Sequence, residues 1–289
     1  MKMSNGLLYF IQDRRAQNLA PRTIEWYQEE LNKWVKFCKT DLEIETITPQ
    51  FIREYLFHLA KEGHNDGGIH GYYRALKAFI NWYDLEFDPE WKNPIRKVKP
   101  PRVINEPLQG VTIETVNKLI SGCDKSSFFG TRDSCICSFL METGLRAQEL
   151  LQLNIEDISF EDSSILVRMG KGRKPRTVFM GQTVRRQLRR YLKIRRDTKG
   201  ALFTTHLGGR LKYSGLRQIM RRLAEQAGLS KPPQIHDFRR GYAIESLRNG
   251  VDLVSLSRLM GHTSLQILTR YLKQNPKDLG DSYCSVFDS

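Results

Sequence analysis

The stretch TGLRAQEL places Arg146 and Glu149 three residues apart, which puts both on one face of a helix and lets the carboxylate orient the guanidinium. Alone, that pair reads most simply as a surface ion pair. In MGKGRKPR, Lys171 stands between two glycines at the tip of a predicted hairpin, where glycine lets the backbone turn and approach a ligand closely. Arg173, Lys174 and Arg176 follow, and the plain alternative is a solvent-exposed basic hairpin. A nucleotide-binding P-loop is excluded, because neither the G-x-x-x-x-G-K-[ST] spacing nor a Ser or Thr after the lysine is present. IHDFRRGYAIESL carries His236 and Arg239 at i and i+3, on one helix face, with Arg240 turned away. A buried, satisfied His beside a surface Arg would explain it equally. GHTSLQILTRY sets His262 just outside a helix start and Tyr271 two turns along it, where a lone Tyr is usually core or rim.

Together these stretches supply two arginines, a lysine, two histidines and a tyrosine, with no acidic pair suited to holding two metal ions. Guanidinium groups fork onto phosphate oxygens, so two of them can bracket a phosphate whose charge grows in a transition state. A tyrosine hydroxyl can attack phosphorus and hold it as a covalent ester. A lysine or histidine can give a proton to the departing oxygen. That is a set for phosphoryl transfer with neither metal nor cofactor. The five cysteines lack paired metal-ligand spacing, and Cys135 and Cys137, two apart without a nearby His, are expected as reduced, buried thiols.

Such side chains need elements to hold them. The first hundred residues read as helical. Helices are expected over APRTIEWYQEELNKWVKFC, over TPQFIREYLFHLAKEG with Thr48 as N-cap and Pro49 in the first turn, and over IHGYYRALKAFINWYDLE. The last carries an aromatic stripe and, on another face, Arg74 and Lys77, which suit either solvent or a phosphate. DPEWKNPIRKVKPPRVINEPLQG is rich in Pro and basic residues, lacks periodicity and reads as an interdomain linker suited to passing along a DNA backbone. Beyond it, Thr112 caps a helix, a second spans 131–142 and reaches Gly144, and LRAQELLQL starts a third. DISF, SSILVRM and RTVFM read as strands. Basic helices follow over 182–196 and 213–228, then one from Ile235 to Asn249-Gly250, and a short one over DLVSLSRLM that stops at Gly261. The expected fold is mainly α: an all-helical N-terminal domain over 1–107, and a mainly helical C-terminal domain over 108–289 bearing a small antiparallel β-sheet.

The formal net charge is +14, and it is concentrated. Residues 1–107 carry 16 basic and 15 acidic side chains, residues 108–289 carry 30 and 17, and the stretch 168–222 holds 18 against the single acid Asp197. Charges at that density repel unless a polyanion neutralises them, and nucleic acid is the natural one. A membrane surface fits less well, since the basic region has no strong apolar face and no run of ~18 apolar residues occurs. The early charges of MKMSNGLLYFIQDRRAQ argue against a signal peptide and for a cytoplasmic protein.

On these residues and motifs the chain resembles the tyrosine recombinases, also called the phage integrase family. The family order is Arg, Lys, His-x-x-Arg, Gly-His, Tyr, the last two spaced by nine, and Arg146, Lys171, His236, Arg239, His262 and Tyr271 follow it, with Glu149 at the acidic position after the first Arg. LAPRTIEWYQEELNKW resembles the first helix of the family's core-binding, SAM-like domain, so the likeness covers nearly the whole chain. It looks closer to the simpler two-domain, Xer-like and Cre-like members, and the arm-binding domain of lambda-type integrases is expected to be absent. The resemblance implies a site-specific recombinase in which Tyr271 attacks a phosphodiester, leaving a 3′-phosphotyrosyl bond and a free 5′-hydroxyl. It further implies that Arg146 and Arg239 clamp the nonbridging oxygens and Lys171 protonates the leaving oxygen. His236 would be the acid/base partner of Tyr271, and His262 would donate to the phosphate. The implied partner is a double-stranded DNA recombination site, engaged by a homotetramer that joins two sites through a Holliday junction, with accessory DNA-binding proteins where directionality is set. The outcome would be integration, excision or resolution of a mobile element or replicon, in a nucleoid-associated setting, without cofactor or metal. A type IB topoisomerase-like relaxing activity and a noncatalytic DNA-binding regulator are the alternatives, and the compact, complete motif set favours the recombinase.

Overall fold

The computed structural model describes residues 1–103, 110–168, 175–197 and 199–261. The chain divides into two compact units, 1–105 and 106–289. Lys171, Arg173, Lys174, His262 and Tyr271 lie outside the described residues.

The first unit is built from α1 (Met3–Ala16), α2 (Pro21–Cys38), α3 (Pro49–Lys61) and α4 (Asp66–Phe87). Both α2 and α3 open on proline, whose missing N–H costs nothing in a first turn. The Thr48 hydroxyl caps α3 by accepting the Phe51 N–H at 3.1 Å, and the Asn65 side chain caps α4 by accepting the Gly68 N–H at 2.8 Å. The aromatic stripe of α4 is core: Tyr72, Tyr73, Phe79 and Tyr83 are buried. Edge-to-face pairs knit the helices, with Phe10 and Phe79 centroids 5.6 Å apart and Trp34 and Tyr55 4.9 Å apart. Arg74 and Lys77 sit exposed on the outer face of α4, the Arg74 guanidinium over the Trp26 ring.

Residues 88–98 differ from the linker reading. Trp91 donates its indole N–H to Asp84, and Asn93 donates to Asn81 and Asp84. Ile95 and Val98 are buried in the same core, and the Tyr73 hydroxyl donates to the Val98 carbonyl at 2.9 Å. Three apolar residues at irregular spacing gave no period to read, yet they suffice to bind this segment to α4.

The second unit winds around one buried helix. Its elements are α5 (Ile113–Ser121), α6 (Phe128–Thr143), α7 (Ala147–Gln152), β1 (Ile158–Ser159), β2 (Ser164–Val167), β3 (Arg176–Phe179), α8 (Gln182–Arg195), α9 (Tyr213–Gln226), α10 (Ile235–Arg248) and α11 (Leu253–Met260). Nearly all of α6 is buried, so it shows no single apolar stripe, and α5, α8 and α10 pack on it. It starts three residues before the expected point because Ser127 caps it, accepting the Gly130 N–H at 3.0 Å. The strands form an antiparallel sheet in the order β1-β2-β3, with Ile165 opposite Val178 and Val167 opposite Arg176. Ile165, Val167 and Val178 point into the core that also takes Leu188 and Tyr191 of α8.

Two close approaches position the helices that matter for the site. Gly144 ends α6 at φ +59°, and a Cβ there would lie 2.2 Å from the Tyr242 ring of α10. At the start of the unit the Val111 N–H donates to the Asp237 carbonyl at 3.0 Å. A Cβ on Gly110 would stand 2.3 Å from the Gly241 nitrogen, and one on Gly241 2.1 Å from the Val111 oxygen.

Candidate active site

Arg146 is the residue that caps α7, two positions after the left-handed turn at Gly144. Its side chain is half-buried, whereas Glu149, one turn along, is 5% exposed. The reading of these two as a surface ion pair is therefore set aside by burial. The Glu149 carboxylate accepts four hydrogen bonds. Oε1 takes Nη1 of Arg146 and Nη1 of Arg176, each at 2.9 Å, and Oε2 takes the Arg146 backbone N–H at 2.9 Å and Nη2 of Arg176 at 2.8 Å. Burial on its own would raise the pKa of Glu149. The bonds from Arg176 and Arg146, with the Arg176 charge, outweigh it and hold the group at about 2.

Arg239 lies in the second turn of α10 and is 1% exposed. Nη1 donates to the Gly144 carbonyl at 2.6 Å and Nη2 to the Met260 carbonyl at 2.7 Å. His236, one turn earlier, keeps part of its surface in solvent. Enough protein surrounds the ring for desolvation, followed by the charges of Arg240 and Arg239, to lower its pKa below 6.5, with Arg146 adding in the same direction. The shift favours the neutral imidazole, the form that can accept a proton. Asp237 closes the helix start by accepting the Gln234 N–H at 2.9 Å.

The end of α11 brings the arginines together. Leu259, Met260 and Gly261 offer three successive carbonyls at the helix C-terminus, where four are without intrahelical partners and the dipole is negative. Arg176 Nε donates to Leu259 at 2.9 Å, Arg239 to Met260 at 2.7 Å, and Arg146 Nη2 to Gly261 at 3.3 Å. Three guanidinium groups from α7, β3 and α10 converge on one turn. Gly261 itself sits at φ +62° with Arg176 within 3.2 Å of where its Cβ would be. The next residue in the chain is His262. Arg146, Glu149, His236 and Arg239 are thereby gathered into one place from two separate motifs. Arg176, expected as a DNA contact, is hydrogen-bonded to Glu149 and to the Leu259 carbonyl. Its basic neighbours gave no sequence signal that separated it from them.

Such a cluster of fixed guanidinium donors is made for an anionic group with several oxygens. Residues 110–278 match the phage integrase family model, and residues 7–82 match the phage integrase SAM-like domain. The chain belongs to the phage integrase family. It is a tyrosine recombinase, an enzyme that cleaves and rejoins DNA through a tyrosine and carries out site-specific recombination. The tyrosine recombinase XerD of Listeria innocua serovar 6a is 28% identical over 277 residues, which cover 91% of this chain and 92% of XerD. The tyrosine recombinase XerC of Chlamydia caviae is 30% identical over 284 residues, 89% and 90% of the two chains. The solved structure of XerH bound to a palindromic difH substrate, a post-cleavage complex, shares the fold with a TM-score of 0.75 at 22% identity, over 96% of this chain and 83% of XerH. Among the described residues of the recombinase, no three His, Cys, Asp or Glu side chains are grouped to hold a metal. Cys38, Cys123, Cys135 and Cys137 are buried thiols, and burial raises the pKa of each. No described helix is long and apolar enough to cross a membrane.

Proposed function

We propose that this recombinase cuts double-stranded DNA with Tyr271 and exchanges strands between two copies of a recombination site. The observation that carries the reading is the convergence of Arg146 and Arg239 on adjacent carbonyls at the end of α11, immediately before His262. A scissile phosphate would meet the same donors, and its nonbridging oxygens would take the bonds now made to the backbone. The hydroxyl of Tyr271 attacks phosphorus. The bond to the 5′-oxygen breaks, and a 3′-phosphotyrosyl ester forms. His236, neutral before the step, receives the phenolic proton. Lys171 gives a proton to the 5′-oxygen, and His262 donates to the phosphate. The ester conserves the bond energy, so the 5′-hydroxyl of the partner strand reverses the step without ATP.

Residues 1–107 act as the core-binding domain and 108–289 as the catalytic domain, and a tetramer on two sites passes through a Holliday junction. Arg74, Lys77, Arg173 and Lys174 contact backbone phosphates, and accessory DNA-binding proteins set direction at the nucleoid. A suicide substrate nicked beside the cleavage point traps the wild-type protein as a denaturant-resistant adduct. The Tyr271→Phe variant, which loses only a hydroxyl, is expected to bind that DNA with unchanged affinity and to form no adduct. An adduct formed by the Phe variant would assign the nucleophile elsewhere.

A further inference from the structure

We propose that Arg176 is a positioning residue for DNA cleavage: it acts through Glu149 and the last turn of α11, not on a DNA phosphate. The inference rests on the reading of Arg146 and Arg239 as the phosphate clamp. Arg176 begins β3, opposite Val167 at the end of β2. All three guanidinium nitrogens donate within the unit. One edge forks onto both oxygens of Glu149 at 2.9 and 2.8 Å, and Nε donates to Leu259 at 2.9 Å. The side chain is 11% exposed and the Glu149 side chain 3%. A group so placed has little surface left for a DNA backbone. Its partner, by contrast, holds Arg146 at two points, the backbone N–H and Nη1. Arg176 thus determines where Glu149 sits, Glu149 determines where Arg146 points, and the same guanidinium fixes the turn that leads into His262.

The end of β2 also carries an arginine on a buried carboxylate, though a more exposed one. Arg168, the residue after β2, donates Nε to Asp157, whose side chain is 2% exposed. Lys171 therefore lies in a segment bounded on both sides by an arginine bound to a buried carboxylate. Among the described residues, the charged groups facing Glu149 are Arg146 from the start of its own helix and Arg176 from β3. Arg176 and Arg146 hydrogen-bond the end of α11 at the Leu259 and Gly261 carbonyls.

The test compares Arg176→Ala and Arg176→Lys with wild type on the full chain. Three quantities are measured: DNA affinity across a salt series, the single-turnover rate of adduct formation at saturating DNA, and the pH profile of that rate. A positioning role predicts affinity and log–log salt slope close to wild type, with adduct formation about 10- to 100-fold slower for Ala. Lysine keeps the charge but not the fork, so it should rescue little. Losing the fork also frees Glu149 to take up a proton at higher pH, so the acid limb of the Ala profile should move upward. Adding Glu149→Gln to Arg176→Ala should slow the reaction no further than the slower single change, since both act on one chain of contacts. A salt slope reduced by about 0.9 with an unchanged rate at saturation would make Arg176 a phosphate contact and overturn the proposal. Wild-type rates for Ala or Lys would overturn it as well, and so would failure of both variants to fold, which would make the role purely structural. If the wild-type protein itself forms no adduct, it is the parent reading of Tyr271 that fails.

Discussion

At the scale of single residues, the chemistry rests on a carboxylate that cannot be spared. Glu149 is buried and accepts four bonds, so removing its charge leaves two guanidinium groups with no counter-charge between them. Breaking one side of such a pair typically costs about 3–5 kcal/mol. Glu149→Gln is therefore expected to lower stability at pH 7 by an amount of that order. Because the native pKa lies at about 2, below the ordinary 4.5, the stabilisation is complete above pH 4.5 and drains away as pH falls towards 2. The stability gap between wild type and the Gln variant should accordingly narrow between pH 4.5 and pH 3 in urea titrations. A gap that stays constant over that range would show that the carboxylate is not held ionised by its arginines. The i, i+3 spacing made the Arg146–Glu149 contact legible in advance, as did the shared face of His236 and Arg239. The third arginine was not legible, because Arg176 reaches Glu149 across 27 positions of sequence, and no local spacing rule reports a contact of that range.

Elements were easier to read than contacts, wherever a helix carried its own start and stop. Thr48 and Thr112 each accept the N–H three residues ahead, and Gly144 and Gly261 each end a helix in the left-handed region, whereas the Asn65 cap that starts α4 three residues before the expected Ile69 was not read. Segments without period escaped: the apolar anchors of 88–98 were hidden by the prolines and lysines between them, and α6 began early on a serine cap. Gly144 shows how firmly one element boundary binds the site. An alanine there must adopt φ +59° and press its Cβ into the Tyr242 ring, while the carbonyl of the same residue accepts Nη1 of Arg239. Strain of this kind costs about 1–3 kcal/mol before the clash is counted. Gly144→Ala should lower the urea midpoint measurably and slow adduct formation more than it weakens DNA binding. Equal loss of both would argue that the turn supports the fold alone and does not aim Arg239.

For the molecule as a whole, charge was the most legible property and also the one the structure revises most. Among the described basic residues between 168 and 222, several are hydrogen-bonded within the second unit: Arg168 to Asp157, Arg176 to Glu149, Arg185 to Ser163, Arg195 to Asp197, Arg210 to the Leu151 and Leu153 carbonyls, and Arg222 to Asp133. These cannot all be counted as contacts to a polyanion. Affinity for DNA should fall steeply with salt, but Arg210→Ala should leave the log–log slope as it is. Lys174→Ala, if that lysine neutralises one phosphate, should reduce the slope by about 0.9 and weaken binding alike on all sequences. A loss of slope with Arg210→Ala would show that its carbonyl partners are exchanged for phosphate when DNA binds. The crossing of Gly110 and Gly241 has a consequence of another kind. A first side-chain carbon at Gly110 would meet the Gly241 backbone, and one at Gly241 would meet the Val111 carbonyl, so neither position can take a side chain while the two segments cross as they do. In the space of neighbouring sequences this pair is a dead end. The way in to the catalytic unit is held by two residues that have no side chain to vary.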